Sequence, residues 1–189
     1  MELHRPKQID MGFAIIAPEP NLGNLLCTVR SIKNNYPVSP YVCAVIKNMH
    51  TEEYKKMSEI CTMCKGKNTI TSLINTALKK SKSEWTLVVM QGVPVHRGLD
   101  KKYGLFIENK KDVLFSITME YDRSGKIVKV RNNFEDATLN GMLIHRDTFK
   151  EVGLFPDGDL SIPAAKLFWA AQAVDKGCKF KGILGTRIL

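Results

Sequence analysis

The 189-residue chain contains no run approaching the roughly 18 apolar residues that cross a bilayer, and its opening residues, Met1 to Lys7, lack a signal peptide's apolar core. Both absences point to a cytoplasmic protein without a membrane span. A disulfide framework is also missing, since the five cysteines are an odd number scattered over positions 27, 43, 61, 64 and 178. Cys61-Thr-Met-Cys64 has the spacing of half a zinc site. No second Cys or His pair at ligand spacing accompanies it, so two reduced thiols on a helical segment are the simpler account and no metal is expected. There is no arginine-rich tract and no RNA motif with interleaved aromatics. The net charge of +9 and a pI near 9.3 favour an anionic partner, but nucleic acid is not the expected one. The short clusters Lys55-Lys56, Lys79 to Lys82 and Lys101-Lys102 read as solvated surface. Lys65-Gly-Lys67 has no P-loop pattern around it.

What is present is a helix feeding a strand. Leu73, Ile74, Ala77 and Leu78 share one helical face, Ser81 to Glu84 form a polar turn, and Trp85 to Met90 are apolar without a break. Such a strand is covered on both faces and belongs at the centre of an α/β sheet. Ligands bind beyond the carboxyl ends of strands of this kind, which puts Met90, Gln91 and Gly92 at the site. None of the three holds a metal or moves a proton.

Upstream, Phe13 to Ala17 predicts a strand, and Leu22 to Lys33 a helix entered through Asn21 as N-cap. Tyr41 to Ile46 predicts a second buried strand and Glu52 to Cys64 an amphipathic helix. His96 and Arg97 lie a few residues past the central strand, where a loop would overhang the crevice. A guanidinium there binds phosphate bidentately, or else the pair simply solvates a loop. Leu99 to Asn109 suits a helix. Val113 to Met119 and Lys126 to Val130 suit a β-hairpin turning at Asp122 to Gly125. Pro163 to Lys176 reads as a helix with proline at N1 and Gly177 at C′, and Gly182 to Leu189 as a closing strand.

Two blocks of this sequence resemble glycosyltransferase family two. The run Leu73-Ile74-Asn75-Thr76-Ala77, then Ser81 to Trp85, is similar to "A-R-N-x-G … A-x-G-E-Y" ahead of a strand ending in D-x-D; Asn75, Glu84 and Trp85 fall on its Asn, Glu and aromatic. Gly141 to Phe155 is similar to "G-x-x-L-x-R-R-x-x-x-x-x-V-G-G-F", with Arg146, Glu151, Val152, Gly153 and Phe155 in place. The resemblance implies a GT-A fold, which is Rossmann-like: a mostly parallel, three-layer α/β sheet with a small β-hairpin, forming one domain over 1–189. Residues to about 92 would be the nucleotide-binding half, and those from about 93 the acceptor half.

The resemblance further implies a nucleotide-diphosphate sugar and an unknown acceptor as partners; because the family's metal-binding carboxylates are missing here, no cofactor is expected. Pro18, Glu19 and Asn21 would line the nucleotide pocket, with Asn48, Asn75, Met90, Gln91, Gly92, His96 and Arg97. The family's acids are replaced, however, by Lys47, by Met90 to Gly92 and by Ala165-Lys166. Two readings stay open: metal-independent sugar transfer with Asp159 or Asp157 as the base, or a scaffold that has lost catalysis and only binds.

Overall fold

Seven consecutive buried residues, Met11–Ala17, form β1, and the rest of the sheet is assembled around it. The computed structural model describes residues 8–46, 51–121, 124, 126–131, 133–134, 137–158 and 160–184. In chain order β1 is followed by α1 (Leu22–Asn35), β2 (Tyr41–Ile46), α2 (Thr51–Ser58), β3 (Thr62–Gly66), α3 (Ile70–Lys80) and β4 (Trp85–Met90). Then come α4 (Leu99–Gly104), β5 (Asp112–Tyr121), β6 (Ile127–Arg131), β7 (Leu143–His145), α5 (Arg146–Val152), α6 (Ile162–Asp175) and β8 (Lys179–Leu184). The strand order is β3-β2-β1-β4-β7-β5-β6, with β8 paired to β5. Strands β1 to β4 run parallel, β8 runs parallel to β5, and β7 enters antiparallel between β4 and β5. The fold is therefore mixed α/β with a mostly parallel sheet. Among the described residues no helix is long and apolar enough to cross a membrane.

Alternation along the strands sends side chains into two cores. Phe13, Ile15, Cys43, Val45, Leu87 and Val89 meet Leu25, Val29 and Ile32 of α1 and Met57 of α2 on one face. Ala14, Ile16, Val42, Ala44 and Val88 meet Leu73, Ile74 and Ala77 of α3 and Trp169 and Ala173 of α6 on the other. Gly66 lets β3 lie against α3, because a Cβ there would sit 2.9 Å from Leu73 Cδ2 and 3.3 Å from the Ser72 carbonyl.

Several expected boundaries move. The helix expected over Glu52 to Cys64 stops at Ser58, because residues from Thr62 pair with β2 from Val42 and trade helical turns for a ladder. Cys61 and Cys64 consequently enter opposite cores, so they are neither a pair nor helical. The helix from Leu99 ends at Gly104. The hairpin stands, as β5 and β6 with an irregular register between Glu120 and Tyr121. The closing strand starts earlier, at Lys179, and residues 185–189 of the expected strand lie outside the described residues. Strand β7 was not foreseen as a strand, since three residues show no period.

The two blocks that carried the family resemblance are packed together. Asn75 donates from Nδ2 to the Phe155 carbonyl (2.8 Å) and accepts at Oδ1 from the Phe155 N–H (2.9 Å), in a buried site. The Phe155 ring stacks on Trp169 at 4.5 Å between centroids. His145 accepts the Asp147 N–H at Nδ1 (3.1 Å) as the N-cap of α5; its proton therefore sits on Nε2 and is donated to Glu84 (3.2 Å). Trp85 meets His145 edge-on, and the Arg146 guanidinium bonds the Lys82 carbonyl.

Replacing Asn75 by Ala strands a buried peptide N–H and C=O together, and should cost roughly 2–4 kcal/mol in urea unfolding. Asp112 is buried beside Lys181 (3.0 Å). Burial raises its pKa, but the N–H groups of Asn109 and Glu108 and the Lys181 ammonium outweigh that and hold it below the ordinary carboxylate value. A depressed folded pKa gives stability that is present above the unfolded value and lost as pH falls through the folded one. Asp112→Asn should therefore flatten the acid limb of the stability–pH curve.

Candidate functional site

The order β2-β1-β4 places β1 and β4 at the centre of the parallel part of the sheet. The chain leaves β1 towards β2 on one side, while β4 joins it on the other, so a crevice opens at their carboxyl ends. Gln91 bridges that crevice. Its Oε1 accepts the Asn21 N–H (3.1 Å), its Nε2 donates to the Glu19 carbonyl, and its own N–H continues the ladder to Ile16 O (3.0 Å). Asn21 is the N-cap of α1 through the Asn24 N–H (3.0 Å), and the first turn of α1 carries no acid to offset its positive end.

Gly92, at φ +86°, turns the chain out of β4. Its N–H is held by the Thr28 hydroxyl (2.9 Å) and the Asn24 carbonyl (3.1 Å), and Thr28 also donates to the Val93 carbonyl (3.0 Å). Asn140 closes the other side, accepting the Met90 N–H at 3.0 Å. Pro18, Glu19, Asn21, Gln91 and Gly92 are thus brought together. Met90 ends the same strand, but its side chain packs into the α3-side core.

Of the other described candidates, Asn75, His96, Arg97 and Asp157 lie elsewhere. Asn75 is spent on the Phe155 peptide group. His96 and Arg97 do not overhang the crevice, because the chain after Gly92 runs back along α1: Val95 is bonded to Ser31 and Asn35, and the His96 carbonyl to the Tyr36 hydroxyl. From Asn24 to Tyr36 the helix advances about 18 Å at 1.5 Å per residue, so both side chains sit exposed at the far end of α1.

Asp157 faces a cavity of about 520 Å³ beside α3, lined also by Lys67, Ser72, Thr76 and Lys79. Its carboxylate accepts from Thr69 (2.7 Å) and pairs with Lys67 (3.2 Å). The Thr69 hydroxyl first, and then Lys67, hold it below the ordinary carboxylate value, and the two contacts fasten the 157 loop to α3. Asp159 and Asn48 lie outside the described residues.

Sequence reasoning missed Thr28, Asn24 and Asn140. Thr28 carried a signal, being a polar residue on the Leu25-Val29-Ile32 face of α1; it is fully buried. Lys166 was noted only as a lost acid. It is buried and donates to the Phe134 carbonyl (2.9 Å) and the Ala137 carbonyl, pinning that segment to α6. Among the described residues no group of three or more His, Cys, Asp or Glu side chains is placed to share a cation.

No protein-family model matches the chain, and no curated protein sequence does. Among solved structures it is similar to the bifunctional IspDF from Campylobacter jejuni, at a TM-score of 0.61 and 12% identity, over 94% of this chain and 50% of that one. The chain thus spans about half the length of that protein, and the likeness shows a shared fold alone.

These findings overturn the glycosyltransferase family two reading, in its active and its catalytically lost form alike. The matched residues explain why the motifs misled: Asn75, Glu84, Trp85, Arg146 and Phe155 join one part of the fold to another.

Thr28→Val keeps the shape but removes the hydroxyl from Gly92 N–H and Val93 C=O. It should cost about 1–2 kcal/mol, and amide exchange at Gly92 should accelerate while exchange in β2 stays unchanged.

Proposed function

We propose that the chain is a nucleotide-binding, nucleotidyltransferase-like domain that takes a nucleobase between the β1–α1 loop and Gln91. The observation that carries this is the Gln91 carboxamide, which offers one acceptor and one donor, side by side, to the Asn21 N–H and the Glu19 carbonyl. A nucleobase edge presents the same neighbouring acceptor and donor. Backbone groups of a loop at the switch point are thus already arranged to read a base, and Gln91 occupies their place until one arrives. Pro18 and Gly92 shape the walls of the slot. The open positive end of α1 lies where phosphates attached to that base would be directed.

The finer fold class adopted in this reading is the nucleotide-diphospho-sugar transferase type, GT-A and Rossmann-like, supported by the antiparallel β7 set between β4 and β5. It carries no sugar transfer with it. Residues 1–189 are taken as one domain, with the nucleotide half reaching about residue 92 and the half from about 93 left for a second reactant.

Calorimetry with CTP, UTP, ATP and GTP tests the proposal. At least one should bind saturably, and its nucleoside should bind more weakly at the same site. Gln91→Ala removes two competing hydrogen bonds worth about 1 kcal/mol or less each, so binding should tighten by roughly tenfold. Absence of saturable binding by all four, or an unchanged affinity in the variant, overturns it.

A further inference from the structure

Three sulfur atoms converge at the amino-terminal end of β3, far from the crevice and unused by it. Cys43 of β2 and Met63 of β3 are register partners on adjacent parallel strands. Cys61, two residues before Met63 and therefore on the same face, has its Sγ 3.5 Å from Met63 Sδ. Cys43, the register partner of Met63 in the same core as Cys61, forms the third corner of the triangle. All three side chains belong to the core beneath α1 and α2, where Cys43 is fully buried and Cys61 is 7% exposed. Cys61 also lines a surface cavity of about 430 Å³ together with Tyr41, Ile60, Lys80 and Lys82, so the triangle has an entrance. Cys64 does not belong to it: its side chain enters the opposite core, with its Sγ 3.5 Å from the Cys43 carbonyl.

We propose that Cys43, Cys61 and Met63 form a binding site for a monovalent thiophilic cation of the copper(I) class. Two thiolates and a thioether are the soft ligand set that selects this ion over harder divalent cations. With metal–sulfur bonds of about 2.3 Å, three sulfurs around a trigonal ion lie roughly 4 Å apart, a small expansion of the 3.5 Å between Cys61 and Met63. Binding forms bonds to both Cys sulfurs, displaces their two protons to solvent and changes no oxidation state, so affinity rises with pH. The site then carries one net negative charge, within electrostatic reach of Lys33.

The test is anaerobic competition between the fully reduced chain and bicinchoninate for copper(I), followed by the absorbance of the dye complex. The wild type should withdraw one equivalent. Cys61→Ser and Cys43→Ser should each weaken retention by at least about tenfold, and Met63→Leu, which conserves volume, by a smaller factor. Cys64→Ser and Cys27→Ser should retain the ion as the wild type does. Far-UV circular dichroism and a thermal melt of each variant separate loss of a ligand from loss of the fold, and Met63→Leu keeps the test valid if a buried serine unfolds the chain. Failure of the wild type to compete, retention that depends on Cys64 or Cys27, or a preference for zinc(II) overturns the proposal. None of these outcomes bears on nucleotide binding, which is read at the opposite end of the sheet.

Discussion

The Asn75 carboxamide is the joint on which the arrangement of the second half depends. A carboxamide is among the few side chains that match a peptide group donor for acceptor and acceptor for donor, and here it is buried, where an unmatched partner is costly. By clasping Phe155 it fixes the chain leaving α5 against α3, and the Phe155 ring in turn seats Trp169 of α6. Helix α6 then positions Lys166, whose ammonium holds the Phe134 and Ala137 carbonyls. Three residues further along, Asn140 reaches the Met90 N–H at the tip of β4. A single side chain on α3 is thereby connected, step by step, to the wall of the crevice.

The crevice is closed by amide chemistry rather than by charge. Gln91 joins the loops after β1 and β4, and Thr28 and Asn24 hold the Gly92 turn behind it. Of the other charged candidates described, Asp157 is held by Thr69 and Lys67, and His96 and Arg97 lie exposed at the far end of α1. The two ends of the sheet therefore differ in chemical character: hydrogen-bonding backbone at the carboxyl ends of β1 and β4, and soft sulfur near the start of β3.

Much of the parallel half was legible in the chain. Continuous apolar runs marked β1, β2 and β4, the Asn21 cap and the helix-opening Pro163 marked the starts of α1 and α6, and the spacing of Leu73, Ile74, Ala77 and Leu78 marked α3. Five of the residues placed at the site, Pro18, Glu19, Asn21, Gln91 and Gly92, do meet. The family motifs misled because residues that hold a fold together are as distinctive in a string as residues that do chemistry. Asn75, Glu84 and Arg146 were read as traces of a reaction, and their hydrogen bonds show them to be joints between segments.

Local periodicity determined which face of each element is apolar and where most helices begin, because those properties depend on neighbours within a turn or two of chain. Only the tertiary structure decided that three residues of β7 would separate β4 from β5, that the chain beyond Gly92 would run back along α1, and that Cys61 would meet Cys43 rather than Cys64. Each of those outcomes is a choice between packing partners distant in sequence. It is settled by the shape and hydrogen-bonding capacity of surfaces that exist only once the sheet has formed.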